Sequence, residues 1–136
     1  MQKTVLAFNF TAERLRDLKL ACMLLKVQLR AVPREDMLQP LGYLAGMKEV
    51  PSVAERYKGD EAKEEMLLLV GFTRPDLDRL LSAIKRGKLK QINLKAMLTP
   101  YNAKWNALKL QQEIGQEHLY MHGRKVAKPK HFASKS

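Results

Sequence analysis

Three residues behind one proline have the types and spacing to hold a ligand. Thr99, Asn102 and Trp105 recur at three-residue intervals around Pro100. Read as the first turns of a helix capped by Thr99, Asn102 and Trp105 share a face, and the free backbone N–H groups at that end favour anions. The same residues also serve as a cap, a turn and a core aromatic with no ligand at all. His118 and His122 stand four apart beside Glu117, a spacing that can bind zinc. No third ligand is signalled, so neither a metal nor a cofactor is expected. Cys22 falls on the apolar stripe of a helix and reads as a small buried hydrophobe before it reads as a nucleophile. There is no Ser/His/Asp constellation, P-loop or dinucleotide fingerprint. The reading leans away from an enzyme.

The charge suggests a second chemistry. The chain carries 25 Lys and Arg against 14 Asp and Glu, a net +11. Residues 124–136 hold five cations and no acid, leaving +6 for the rest. Arg79 to Lys109 holds eight more with no acid. Lys85, Arg86, Lys88, Lys90 and Lys95, with Arg124 and Lys125 in the tail, are candidate contacts for RNA, DNA or another phosphate. The competing reading is solubility, with lysines guarding an edge strand against aggregation.

These residues must be positioned by elements that the pattern makes visible. Residues 4–10 and 66–72 are almost continuously apolar, as strands buried on both faces are. Thr11 precedes a helix over about 12–26 with Leu15, Leu18, Cys22 and Leu25 on one stripe. Val27, Leu29 and Ala31 alternate with polar residues and predict a half-buried strand ended by Pro33. Asp36 to Gly46 predicts a short helix, and 48–63 a polar surface loop. Thr73, Pro75 and Asp76 open a helix whose Leu77, Leu80, Leu81 and Ile84 fall at zero, three, four and seven, and Gly87 ends it. Ile92, Leu94, Ala96 and Leu98 alternate along a fourth strand. A helix over about 100–120 closes the domain, and Gly42 and Gly46 read as a close-packing site.

The halves repeat. VLAFNFTAERLRDL and LLLVGFTRPDLDRL align without a gap, and each is followed by a strand. The chain is therefore a duplicated strand–helix–strand unit. The apolar first and third strands belong in the middle of the sheet and the alternating second and fourth outside them. The predicted fold is α+β: a ferredoxin-like duplicated βαβ sandwich with a four-stranded sheet, spatial order four, one, three, two, and an extra C-terminal helix. The alternative is a three-layer parallel α/β sheet. The domain spans 1–121, and 122–136 is a basic tail expected to be disordered. Central strands apolar on both faces need a second cover: the 100–120 helix, the 36–46 helix, or a second subunit in a homodimer.

Gln39 to Gly46, Glu65 to Phe72, Leu94 to Trp105 and Glu117-His118, in that order, resemble the bacterial family catalogued as domain of unknown function 3783. The resemblance spans about residues 3–118 and is closest in the second half. Thr or Ser and an aromatic usually follow the Trp in that family, where this chain has Asn106 and Ala107. The family implies no agreed activity. From the residues, the expected role is a non-catalytic ligand- or protein-binding or regulatory module, the alternative being RNA or DNA binding through 79–109 and the tail. A single cysteine and no apolar run of about twenty residues predict a cytoplasmic protein with no membrane partner.

Overall fold

The computed structural model describes residues 2–59, 64–89 and 92–114, and the backbone alone of 119–121 and 124–126. In chain order the elements are β1 (Thr4–Phe8), α1 (Ala12–Leu25), β2 (Gln28–Val32), α2 (Leu41–Leu44), β3 (Met66–Val70), α3 (Arg74–Arg86), β4 (Leu94–Met97), α4 (Ala107–Ile114), β5 (Leu119–Met121) and β6 (Arg124–Val126). They form one mixed sheet in the order β2-β1-β3-β4-β5-β6. The α+β class, the duplicated βαβ units and a helix beyond the fourth strand are as the sequence predicts.

β1 and β3 are neighbouring interior strands and run antiparallel, with Leu6 opposite Leu68. Each crossover returns the chain beside the strand it left, so β2 is parallel to β1 and β4 to β3. The first four strands therefore run two, one, three, four, which corrects the predicted four, one, three, two. Continuous hydrophobicity marks β1 and β3 as interior, though the alternating β4 is interior too, paired by β5. Hydrophobicity carries no information on which inner strand an outer one joins.

Side chains alternate across β1 and β3 and build two cores. Val5, Ala7, Leu67 and Leu69 pack under α1 and α3. Leu6, Phe8, Met66, Leu68 and Val70 pack on the opposite face with Leu41 and Leu44 of α2 and Leu110 and Ile114 of α4. Both candidate helical covers are thus used, and that face gives no argument for a second subunit. α2 is fixed to the chain before α4 by backbone hydrogen bonds: Leu41 N donates to the Trp105 carbonyl (2.7 Å), Gly42 N to that of Ala103 (2.7 Å), and Ala107 N to that of Met37 (3.1 Å). Gly42 is needed here because a Cβ would lie 2.9 Å from Val50 Cγ2 and 3.1 Å from the Ala103 oxygen.

The predicted 100–120 helix is corrected by the structure. Residues 100–105 form turns and bends, α4 spans Ala107–Ile114, and two short strands, Leu119–Met121 and Arg124–Val126, extend the sheet. Asn106 is the cap of α4, its Oδ1 accepting from Lys109 N at 2.9 Å. β5 pairs with β4 and covers the edge on which the fourth strand was expected to lie. β6 falls within the stretch read as a tail; residues 127–136, 122 and 123 lie outside the described residues.

The repeat is visible in backbone detail. β1 is followed by Asn9, with φ 69°, and β3 by Gly71, with φ 76°. Each left-handed residue turns the chain through Phe10 or Phe72 into a Thr cap. Asn and Gly are the residues that tolerate this conformation best.

Candidate functional site

The C-terminal ends of β1 and β2 open into a cleft of about 610 Å3. Asn9, Phe10 and Thr11 form one wall, Pro33 and Arg34 another, and Glu65 borders it. Asn9 is steadied by donating from Nδ2 to the Glu64 carbonyl at 3.2 Å. Thr11 Oγ1 accepts from Arg14 N at 3.2 Å and starts α1. Clefts beyond the carboxyl ends of parallel strands are common ligand seats, because the loops there are free to vary while the strands hold them.

The second repeat shows what this helix start lacks. On α3 the third helical residue is Asp76, and its carboxylate completes a capping box. Asp76 Oδ2 accepts from Thr73 N and Thr73 Oγ1, both at 2.8 Å, while Oδ1 accepts from Lys3 Nζ (2.9 Å) and Arg79 Nη2 (2.6 Å). On α1 the same position is Arg14. Its guanidinium grips Glu65 with two bonds, Nε to Oε2 at 2.8 Å and Nη2 to Oε1 at 2.6 Å, and donates to the Leu89 carbonyl at 2.7 Å. This fork neutralises Glu65.

The Thr73 backbone bond, then Lys3 and the Thr73 hydroxyl, hold the Asp76 carboxyl well below the usual carboxylate range. Its contribution to stability is complete above the unfolded value of about 3.9 and is lost as pH falls from there through the depressed folded value. Asp76→Asn should therefore be less stable than wild type at pH 7, and the gap should close on acidification below about pH 4. Chemical denaturation across pH 2–7 measures this; a gap constant with pH would contradict the assignment.

The structure brings Thr99, Asn102 and Trp105 together, but in a turn that spends their polar groups on the chain itself. Asn102 is fully buried. Its Oδ1 accepts from Thr99 N at 2.9 Å and its Nδ2 donates to the Met97 carbonyl at 3.1 Å. Thr99 Oγ1 accepts from Tyr101 N (3.1 Å) and Asn102 N (3.2 Å). Trp105 is half-buried at the margin of the α2/α4 core, edge-on to Tyr101 with ring centres 5.5 Å apart and with Lys109 Nζ 5.3 Å from its own ring centre. These residues build the seam to α2.

The basic candidates are dispersed. Lys85 and Arg86 end α3 and Lys88 follows in the next turn, all exposed. Lys95 turns inward: its Nζ donates to the Ile92 carbonyl, and burial pushes its pKa down. Arg124 and Lys125 lie on β6, of which the backbone alone is described. Lys90, Glu117, His118 and His122 lie outside the described residues. Cys22 is buried, and desolvation pushes its thiol up to about 11, which leaves almost no thiolate at neutral pH.

The cleft was not legible from the sequence, since its residues come from three separated places. Among the differences between the two aligned segments, Arg14 against Asp76 marks the helix start that borders the cleft, but nothing in the sequence places it beside Pro33 and Arg34. Among the described residues, no helix is long and apolar enough to cross a membrane, and no three His, Cys, Asp or Glu gather as a metal site would need. No curated protein and no solved structure matches the chain. Residues 65–121, covering β3 to β5, match the family described as Domain of unknown function (DUF3783), the family that the chain's own motifs resemble.

Proposed function

We propose that the protein is a non-catalytic binding module whose small ligand enters the β1/β2 cleft with an anionic end toward Arg34 and the start of α1. The observation that carries this reading is the substitution of Arg14 for the capping carboxylate seen at Asp76. The first repeat thus presents a helix start without a capping acid to a cleft lined by Arg34, where the second is closed by its own acid. Phe10 and Pro33 supply an apolar surface for the rest of the ligand. The single buried thiol fits a cytoplasmic setting.

The test is titration of labelled protein with inorganic phosphate, acetate and benzoate, followed by amide NMR. Shifts should centre on Asn9–Arg14 and Arg34. Arg34→Ala should weaken binding by about tenfold or more, since a hydrogen bond to a charged group contributes about 1.5–3 kcal/mol. Shifts spread evenly over the basic surface, or unchanged affinity in the variant, would sink the reading.

A further inference from the structure

We propose that the outer face of α1, with its groove against α3, docks an acidic amphipathic helix of a partner protein. The two repeats supply an internal comparison. α3 buries Leu77, Leu80 and Ile84 and turns charged residues to solvent. α1 buries Leu18, Ala21 and Cys22, yet carries apolar residues on its outer face too: Leu20 is 57% exposed, Met23 63% and Leu24 82%. The C-terminal half of α1, Leu20 to Leu25, is apolar on every side, and such a helical surface is ordinarily covered all round. Among the described residues, the other large exposed apolar side chains, Tyr43, Val53 and Tyr101, are scattered in sequence, whereas these three fall within five residues of one helix. Met adds an adaptable side chain of the kind common on protein-binding surfaces.

The patch adjoins a concave site. A groove of about 340 Å3 runs between Leu20 and Leu24 of α1 and Ala83 and Leu89 on the α3 side. The small side chains of Ala21 and Ala83 leave room for one or two large apolar residues from outside. Insertion of apolar residues at helical spacing into such a groove is a common mode of helix recognition.

The charge at the rim decides the occupant. Arg86 and Lys88 line the groove, Lys85 stands beside them exposed, and Asp17 is the one carboxylate in the lining. A partner that follows its apolar stripe with Asp or Glu meets these cations. A second copy of a +11 chain would set a positive rim against a positive rim. A lipid surface is flat and would leave the groove, with the Asp17 carboxylate in it, unfilled.

The experiment uses the full chain and a fluorescent model peptide, a helix with Leu at positions i, i+4 and i+7 and Glu on the flanking positions. A scrambled peptide of the same composition, a Lys-for-Glu version and anionic phospholipid vesicles are the controls. The Leu/Glu helix should bind and shift the amides of 17–24 and 83–89. Leu24→Glu should weaken binding at least tenfold with an unchanged melting temperature, because Leu24 is on the surface. Lys88→Glu should weaken it and flatten its salt dependence. Arg34→Ala should leave it unchanged, which separates this surface from the β1/β2 cleft. Equal binding of the scrambled peptide, binding to vesicles but not peptide, dimers in light scattering that Leu24→Glu abolishes, or no shift at millimolar peptide would each overturn the proposal.

Discussion

Leu68→Ala should lower stability by about 3–5 kcal/mol and the melting temperature by roughly 10–20 °C, independent of protein concentration. Leu68 is the middle residue of the central strand β3 and is fully buried. It faces away from α1 and α3, into the core completed by α2 and α4, and stands opposite Leu6 of β1. Truncation removes buried methyl groups and leaves a void that a sheet paired on both sides cannot close. Concentration is the informative variable. If this face required a second subunit, unfolding would be coupled to dissociation, and both the wild-type midpoint and the size of the loss would change with dilution. Urea unfolding at two concentrations a hundredfold apart tests this. A loss under about 1 kcal/mol, or a midpoint that moves with dilution, would contradict a core closed within one chain.

The same residue shows what patterning reveals. Runs such as MLLLV and TVLAF say that a strand is buried on both faces, and both strands are interior. The helix starts at Thr11 and Thr73 were equally legible, because a cap depends on residues within one turn. Strand order depends on where a crossover returns, and the composition of an outer strand is blind to that. A charge count along 79–109 is blind to orientation in the same way. Lys88 points to water while Lys95 is turned onto its own backbone, and a linear sum gives both the same weight. The α1/α3 groove carried a readable signal in Leu20, Met23 and Leu24, off the stripe of Leu18 and Cys22. The β1/β2 cleft did not, since loop ends distant in sequence meet only after the sheet has formed.

Thr99-Pro100 is the most instructive divergence, and it yields the last large effect. A Thr followed by Pro has the local chemistry of a helix start. Here Asn102 takes the Thr99 N–H with its own carbonyl oxygen, and the chain makes a turn in place of a helix. Asn102→Ala removes these partners of Thr99 N and of the Met97 carbonyl together, at a residue that is itself fully buried. Each orphaned group costs about 1–3 kcal/mol, so the variant should lose about 2–6 kcal/mol. The loss should spread to α2, because the following residues hold Leu41 and Gly42 through the Trp105 and Ala103 carbonyls. Hydrogen exchange of those two amides should accelerate with global unfolding of the variant. Asn102→Asp gives a sign that a generic packing defect cannot imitate. Its carboxylate can still accept from Thr99 N but faces the Met97 carbonyl with no proton to donate, and burial raises its pKa. The neutral acid can make both bonds. The folded state of this variant therefore binds a proton more tightly than the unfolded chain, so its deficit relative to wild type should shrink as pH falls below the raised value. If Asn102→Ala keeps wild-type stability, the turn does not depend on these bonds, and Thr99, Asn102 and Trp105 return as candidates for a ligand site.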